Sequence, residues 1–264
     1  MRLRPHTVPT WCCIFLLISS CLVGQETEKT FVYDRGGIIR GDRTHQELAL
    51  VFTGDSFAEG GEHIRQALAR HQVKASFFLT GNFYRNAAFQ QLIKDLVADG
   101  HYLGAHSDAH LLYCPWENRD SLLVTRAEFD ADLAANYREM EQFGISKARA
   151  EYFLPPYEWY NEKISAWVKA WGLTLVNFTP GTRTNADYTV PEMGTRYVAS
   201  ETIMQSIWAY EKNDPAGLNG FVLLIHLGTD PRRTDKFYLR LDELLAALRE
   251  RGYRCKRIDE LLGL

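Results

Sequence analysis

Two histidines four residues apart, His106 and His110 in the sequence HSDAH, form the most suggestive chemical pattern in this chain. At that spacing both imidazoles would lie on one face of a single helical turn and could bind one metal ion. Taken alone the pattern is weak, because most such pairs are surface or helix-capping residues. Asp55 strengthens it, since it closely follows the apolar run 49–52 and would add a carboxylate. One Asp and two His would leave coordination positions open for water and substrate, as in catalytic zinc sites.

Hydrolysis at such a metal also needs a proton for the leaving group, and His226 is the candidate donor. A bound divalent ion polarises a substrate carbonyl and lowers the pKa of bound water towards about 7. His226 ends the very apolar run 221–225. An isolated histidine in that position is more often a core residue bonded to backbone. In the company of Asp55, His106 and His110 we interpret it as a general acid.

Short apolar runs alternate with longer helical patterns from Glu47 onward. This alternation predicts parallel strands with helices packed outside them. About seven strands, rather than eight, predict a distorted or incomplete (β/α) barrel in a single domain. The predicted strands are 48–52, 75–79, 102–105, 151–153, 173–177, 221–225 and 253–256, and the predicted helices are 62–71, 87–99, 126–143, 161–171, 201–212 and 239–251.

The alternative architecture is an open doubly wound sheet. It would gather its ligand at one switch point, usually with a glycine-rich phosphate loop, and the sequence contains no such loop. In a (β/α) barrel, the catalytic and binding residues lie on the loops that follow the strands. The polar residues of interest follow the first, third, fourth and sixth predicted strands: Asp55, His106 with His110, Pro155-Pro156-Tyr157, and His226.

Composition excludes several classes of protein. The 264 residues include 30 basic and 33 acidic side chains, for a formal charge of −3, with the apolar content of an ordinary globular protein. Without a Lys/Arg run beyond the first few residues, the chain lacks an electrostatic footprint for phosphate backbones. We therefore expect no nucleic-acid partner.

The N-terminal segment 1–24 is typical of an export signal, with Arg2 and Arg4 before an apolar stretch of about ten residues. That stretch is about half the length of a membrane span, so no transmembrane helix is predicted. The sequence Ile18-Ser19-Ser20-Cys21 is similar to a bacterial lipobox, which would place a lipid anchor on Cys21; the alternative is simple cleavage near Gly24. Both imply an exported protein, periplasmic or on the cell surface.

Residues 25–45 are predicted to form an exposed lead-in with turn signals that suit a hairpin, and residues 46–264 the catalytic domain. The mature chain would keep two cysteines, Cys114 and Cys255. In an oxidising compartment they could pair, but two separately buried thiols are equally compatible with the sequence.

In their order and spacing, these motifs resemble those of the polysaccharide deacetylases, the NodB-homology group or carbohydrate esterase family 4. That family has a Thr-Phe-Asp-Asp strand end, a His-Ser/Thr-x-x-His helix, an Arg-Pro-Pro-Tyr-type loop, an Asp-Trp-type loop and a Leu-x-His strand end. The counterparts here are 51–55, 106–110, 154–157, 185–188 and 224–226, within a resemblance that spans residues 46–264. The resemblance implies a divalent metal, zinc first with cobalt or nickel as alternatives, and removal of acetyl groups from a glycan.

The chain departs from the family pattern at two positions. The family uses the first Asp of its first motif as base and the second as metal ligand, whereas this sequence has only Asp55. Read without a gap, Thr53 and Gly54 replace both carboxylates; with one extra loop residue, Asp55 becomes the ligand and the base is missing, and we prefer this second register. Leu154 replaces the arginine that orients the base. Activity would then depend on the metal and its water alone, or on His226 moving protons in both directions.

The resemblance also suggests an oxyanion hole made of the metal and the backbone N–H of Tyr157. Aromatic side chains near the same loops could stack on sugar rings; they are Tyr113, Trp116, Trp159, Tyr160 and Tyr188. The predicted substrate contacts are Pro156, Tyr157, Trp159, Asp187 and Tyr188. Two functions remain open: a metal-dependent carbohydrate deacetylase acting on an N- or O-acetylated glycan, or a non-catalytic glycan-binding protein that holds a metal on the same scaffold.

Overall fold

The computed structural model describes residues 1–2 and 30–264. The predicted signal segment, apart from its first two residues, and Cys21 lie outside this range. Within it the nine strands are β1 (Val32–Asp34), β2 (Gly37–Arg40), β3 (Glu47–Gly54), β4 (Ser76–Leu79), β5 (Tyr102–Ala105), β6 (Tyr152–Phe153), β7 (Thr174–Leu175), β8 (Val222–His226) and β9 (Arg254–Lys256).

Eight α-helices accompany the strands in the described part of the chain. They are α1 (Gly61–Arg70), α2 (Gly81–Arg85), α3 (Gln90–Ala98), α4 (Arg126–Glu141), α5 (Glu162–Ala170), α6 (Ser200–Asn213), α7 (Leu241–Glu250) and α8 (Ile258–Leu262). All seven predicted strands and all six predicted helices are confirmed, with ends that shift by a few residues. The short helices α2 and α8 were not predicted.

A single sheet of seven parallel strands, β3 to β9, forms the centre of the molecule. Its order is β7-β6-β5-β4-β3-β8, and β9 pairs with the first residues of β3. Helices pack against its outer face. The prediction of a distorted, incomplete (β/α) barrel with about seven parallel strands is confirmed, and the open doubly wound alternative is not adopted.

Alternation along the strands separates two apolar clusters. On β3, Leu48, Leu50 and Phe52 face the helices, whereas Ala49 and Val51 belong to a smaller cluster inside the sheet's curve. Because side chains alternate with period two, Thr53 continues the inward series at the carboxyl end of β3. The same parity places His226 after Val222 and Leu224 on β8. The inner side of the sheet is therefore apolar along most of each strand and polar at the carboxyl ends.

The lead-in forms an antiparallel hairpin of β1 and β2. Its second strand is buried: Ile38 bridges in parallel to Val176, beyond β7, and Asn177 N–H donates to the Ile38 carbonyl at 2.9 Å. Gly37 lies against Tyr160 and Leu175 so closely that a Cβ would be 2.4 to 2.5 Å from them. The expectation of an exposed lead-in is therefore wrong for β2, which extends the sheet at its β7 edge.

Local signals fix the ends of several elements. Thr125 and Glu128 form a reciprocal capping box at the start of α4.

Among the described residues, no helix has the length and apolar character that a membrane span requires. Cys114 and Cys255 are both free thiols, the first buried and the second half-buried.

Candidate active site

A cavity of about 550 Å³ opens at the carboxyl ends of the strands. Its wall includes Asp55, His106, His110 and His226, which the chain delivers from the ends of β3, β5 and β8. Loops carry the remaining lining residues, among them Tyr157, Glu158 and Tyr188. The predicted chemical residues thus share one cavity.

The histidine motif is a loop after β5, so the prediction of a single helical turn is wrong. Residues 106–110 contain no helix, and both Ser107 (φ 72°) and His110 (φ 55°) have left-handed backbone conformations. Side chains of α4 hold this loop. The Asp132 carboxylate accepts the N–H groups of Asp108 and Ala109 at 3.0 and 2.9 Å, which leaves no need for helical hydrogen bonds there.

Asn136, one turn along α4 from Asp132, fixes the start of the same loop. It is fully buried, accepts the His106 N–H at 2.9 Å and donates to the Leu79 carbonyl at 3.2 Å. An amide bound on both sides in a dry interior holds its partners firmly, because a broken bond there leaves a buried polar group unpaired. Asn136 therefore ties the ends of β4 and β5 together beneath the cavity.

His106 is buried and oriented by the backbone. Its Nδ1 lies 2.7 Å from the Leu154 carbonyl oxygen, so Nδ1 carries the proton and Nε2 keeps a free lone pair. Burial lowers the pKa of His106 to about 3, and the nearby His110 adds to this effect. Burial likewise lowers the pKa of His110, against the attraction of Asp55. The two rings, 5.2 Å apart at their centroids, are therefore neutral imidazoles of the kind that bind metals.

Asp55 stands one residue beyond β3, on the cavity wall. Its Oδ1 accepts hydrogen bonds from Thr80 Oγ1 at 2.8 Å and Asn82 Nδ2 at 3.3 Å, and its Oδ2 accepts one from Ser56 Oγ at 2.6 Å. Burial would raise the pKa of Asp55, but these bonds and His110 outweigh it and the pKa falls below its ordinary value. Asp55 is therefore an ionised carboxylate facing neutral imidazoles.

The donor set of Asp55, His106 and His110 fits a divalent metal in kind, with one anion and two neutral nitrogens. The oriented Nδ1 of His106 is a further feature of metal-binding histidines. Nevertheless, no group of three or more His, Cys, Asp or Glu donors within residues 1–2 and 30–264 is gathered closely enough to hold an ion. The ligands share the cavity without a complete coordination sphere.

His226 is bound by a buried carboxylate. Asp187, which is 1% exposed, holds the His226 ring Nδ1 at 2.6 Å from its Oδ1 and accepts the His226 N–H at 2.9 Å with Oδ2. Burial alone would lower the pKa of His226, but Asp187 and the more distant Glu158 raise it above the ordinary value. The Nδ1–H of His226 donates to Asp187, and Nε2 is left for the cavity.

Thr53 is the neighbour of His226 across the β3–β8 pairing. It is 3% exposed and lines the cavity, and no described residue forms a hydrogen bond with its Oγ1. A buried hydroxyl without a partner is costly unless water or a ligand binds it. This hydroxyl therefore offers water or a polar ligand a hydrogen-bonding atom at the floor of the cavity.

The proline loop forms the opposite wall. Tyr157 (φ 58°) and Glu158 (φ 54°) are consecutive left-handed residues, and neither is glycine. Each costs about 1 kcal/mol relative to ordinary backbone, and such strain persists at functional sites where the surroundings impose it. Here Asn177 Nδ2 donates to the Glu158 carbonyl at 2.9 Å and fixes the turn. The turn exposes the Tyr157 ring and places Glu158 on the cavity wall.

A model of the polysaccharide deacetylase family matches residues 41–176, half of the chain. The chain belongs to the polysaccharide deacetylase family. The matched segment holds Asp55, the histidine loop and the proline loop, whereas His226 and Asp187 lie beyond it. The expected resemblance is confirmed, and so, at the level of the family, is the prediction of an enzyme class that deacetylates carbohydrates.

Three bacterial proteins illustrate what the chain is similar to. The peptidoglycan-N-acetylmuramic acid deacetylase PdaA of Bacillus subtilis is 25% identical over 220 residues, 82% of this chain and 72% of PdaA. The peptidoglycan-N-acetylglucosamine deacetylase PgdA of Listeria monocytogenes is 24% identical over 222 residues, 84% of this chain but only 40% of PgdA. A solved family 4 pseudoenzyme from Bacillus anthracis has the same fold, with a TM-score of 0.66 and 20% identity over 87% of this chain and 70% of that one. Enzymes of the deacetylase family generally use a divalent metal.

The predicted substrate contacts separate into two groups. Tyr157 and Tyr188 line the cavity and are exposed, as is Trp116, whose ring centroid is 5.7 Å from that of Tyr157. Pro156 and Asp187 are buried, and Asp187 is bound to His226 rather than solvated. Trp159 is half-buried behind Trp116, with the guanidinium of Arg119 over its ring.

Sequence reasoning missed four residues that build the site: Thr53, Asp132, Asn136 and Glu158. The signal for Asp132 and Asn136 was available, because two short polar side chains at i and i+4 share a helix face with apolar residues such as Phe129 and Leu133 and must find partners there. Parity along β3 could have found Thr53. No local pattern marks Glu158, whose placement depends on a left-handed turn.

Proposed function

We propose that this protein is a metal-dependent deacetylase that removes acetyl groups from N-acetylated amino sugars of a polysaccharide. The observation that carries the proposal is the single cavity in which neutral His106 and His110 face His226, an imidazole whose pKa is raised. Opposite protonation states in one cavity provide the two functions that hydrolysis needs, ligand binding and proton donation. The family assignment supports the same chemistry.

Asp55, His106 and His110 would hold the metal, with zinc as the first candidate. When bound, such an ion acts as a Lewis acid that polarises the acetyl carbonyl. His106 would bind through Nε2, because Nδ1 is occupied by the Leu154 carbonyl. The hydrogen bonds from Thr80, Asn82 and Ser56 would orient the Asp55 carboxylate.

His226 would protonate the leaving nitrogen. Asp187 holds the imidazole in one orientation and keeps it protonated, in the manner of a carboxylate that supports a catalytic histidine. We assign Asp187 this positioning role in place of substrate contact. The backbone N–H of Tyr157 would donate to the carbonyl oxygen as charge develops on it.

The substrate class is inferred from aromatic surfaces and from the named relatives. Tyr157, Tyr188 and Trp116 offer exposed rings at the rim, suited to the C–H faces of sugars. The names of PdaA and PgdA both describe N-acetylated sugars of peptidoglycan. An exported protein, as residues 1–24 suggest, would meet such a polymer outside the cytoplasm; a lipid on Cys21 would hold it at a membrane surface.

The test is acetate release from N-acetylated peptidoglycan fragments and chitooligosaccharides by purified protein with added zinc, cobalt or nickel. We expect release that stops after chelation and returns with metal, and about one equivalent of bound metal per chain. Metal binding should also raise the melting temperature. Protein that binds no metal, or binds it without any release from these or O-acetylated glycans, would overturn the proposal.

The second candidate is a glycan-binding protein without turnover. It is favoured by the incomplete coordination sphere among the described residues and by Thr53, a hydroxyl where a carboxylate beside His226 would serve catalysis. Glycan binding with a dissociation constant unaffected by His226→Ala, and no acetate release by the wild type, would establish this function.

A further inference from the structure

Amide hydrolysis needs a proton acceptor for the attacking water as well as a donor for the leaving group. Three carboxyl groups among the described residues line the cavity, Asp55, Glu158 and Asp230. If the protein is the proposed deacetylase, one of these three groups accepts the proton.

Two of these carboxylates already have strong partners. Asp55 accepts hydrogen bonds from three side chains, those of Ser56, Thr80 and Asn82. Asp230 is paired with Arg232, with Nη2 at 2.6 Å and Nε at 2.9 Å, and also accepts the Arg232 N–H. A carboxylate stabilised by such bonds is a poor proton acceptor, because protonation must give them up.

Glu158 is different in its contacts. Within the described part of the chain, no group donates a hydrogen bond to its carboxylate, although its backbone is held on both sides: its N–H donates to Pro155 and its carbonyl accepts from Asn177. The left-handed turn at Tyr157 and Glu158 is kept by two residues that do not favour it. Backbone strain therefore places an unpaired carboxyl group on the wall of the cavity.

The charged groups around Glu158 suit a base. Burial raises the pKa of its carboxyl to about 7; His226 opposes this rise and Asp187 adds to it. A general base works best when its pKa is near the working pH, since it is then both available and strong enough. Glu158 and His226 line the same cavity and interact electrostatically, so a proton acceptor and a proton donor face one binding space.

We propose that Glu158 is the general base of this active site. Its carboxylate takes a proton from water while the water oxygen forms a bond to the acetyl carbonyl carbon. His226 then gives its proton to the sugar nitrogen as the carbon–nitrogen bond breaks. Acetic acid and the free amine leave, and the proton on Glu158 returns to His226, so that the enzyme is unchanged over one cycle.

The direct test compares Glu158→Gln, Glu158→Asp and the control Glu250→Gln, an exposed residue of α7. We expect Glu158→Gln to lower kcat about 10²- to 10⁴-fold with little change in KM or zinc content, and Glu158→Asp to retain more activity. The control should be unchanged. An active wild type with an equally active Glu158→Gln would overturn the base assignment alone, whereas an inactive wild type would overturn the deacetylase function.

Glu158→Gly separates a catalytic role from a structural one. Glycine adopts the left-handed conformation without strain, so this variant should melt about 2–4 °C higher than the wild type while losing activity. Added formate should restore part of the rate by supplying a carboxylate in the vacated space. A folded Glu158→Gly that formate cannot reactivate would contradict the proposal.

A measurement without substrate tests the environment of the carboxyl. Because the folded-state pKa of Glu158 is raised, the wild type loses stability as pH rises from about 4.5 to 7, where the unfolded chain ionises first. Glu158→Gln cannot ionise, so its melting temperature relative to wild type should increase across this range. A difference that stays flat would show that Glu158 ionises as freely as an exposed glutamate and would overturn the assignment.

Discussion

The cavity holds its histidines in two places with opposite environments. His106 and His110 form the ligand wall, and His226 with Asp187 forms the donor wall. His106 is buried and the neighbouring His110 is half-buried, and their pKa values fall, to about 3 for His106. His226 is half-buried as well, but Asp187 lies 2.6 Å from its ring and its pKa rises. Where burial outweighs the attraction of a carboxylate, as with Asp55, the histidine is a neutral ligand; where a carboxylate is hydrogen-bonded to the ring, as Asp187 is, the histidine is a proton donor. The role of each histidine, as metal ligand or proton donor, therefore depends on the groups that contact its ring, and residue type alone does not assign it.

The largest expected effect separates the two walls by substitution. His110→Ala should abolish zinc binding and reduce acetate release by several orders of magnitude, because it removes a ligand. His226→Ala should lower the rate about 10²- to 10⁴-fold while zinc content, measured by metal analysis, stays near that of wild type. Loss of zinc in both variants would break the comparison, because it would place His226 among the ligands.

A smaller effect is expected when the donor wall loses its carboxylate. Asp187→Asn should lower the rate roughly 10- to 100-fold and move the alkaline limb of the pH–rate profile to lower pH, since His226 loses its proton sooner. The raised pKa stabilises the fold below about pH 6.5, and this contribution is lost as pH rises through the folded value. Asp187→Asn should therefore lower the melting temperature more at pH 6 than at pH 9. Equal losses at both values would contradict a charged His226–Asp187 pair.

Substitution of Asn136, which holds the histidine loop from α4, should weaken the metal-binding side of the cavity. Asn136→Ala leaves the His106 N–H and the Leu79 carbonyl unpaired in a dry interior, which should cost about 1–3 kcal/mol of stability. Thermal melts should show a fall of about 2–4 °C for each kcal/mol, together with weaker zinc affinity. Asn213→Ala, at an exposed position on α6, is the control. A normal zinc affinity in a destabilised Asn136→Ala would show that the histidine loop holds its shape without α4.

The smallest effect is expected when an aromatic side chain at the rim of the cavity is removed. Trp116 is 55% exposed, and its ring packs against those of Tyr157 and Trp159. Because it would bind sugar rings away from the reacting bond, Trp116→Ala should raise KM a few-fold for oligosaccharides and leave kcat unchanged. Steady-state kinetics on a long and a short substrate would measure this. A larger change in kcat than in KM would mean that the ring positions the proline loop rather than the sugar.

The strands and most of the helices were predictable from short apolar runs and from apolar residues at helical spacing; α4 is the exception, because its inward face carries the polar Asp132 and Asn136 among apolar residues. The histidine motif was misread because its spacing suits a helix, while the structure satisfies its N–H groups with Asp132 of a distant helix. Asp187 was predicted to contact substrate, whereas the structure buries it against His226, thirty-nine residues later. Tertiary partners of this kind leave no local pattern in a sequence.

The packing around Gly54 has a consequence for any route by which this chain could change. At this glycine a Cβ would lie 2.9 Å from the ring of Phe83, which is fully buried and packed against Phe89. An acidic side chain at position 54 would therefore require both Phe83 and Leu79, whose Cδ2 atom would be 3.0 Å from the Cβ, to shift. Truncation of Phe83 would leave a cavity in the core, so the packing disfavours a carboxylate at this position unless several core side chains change with it.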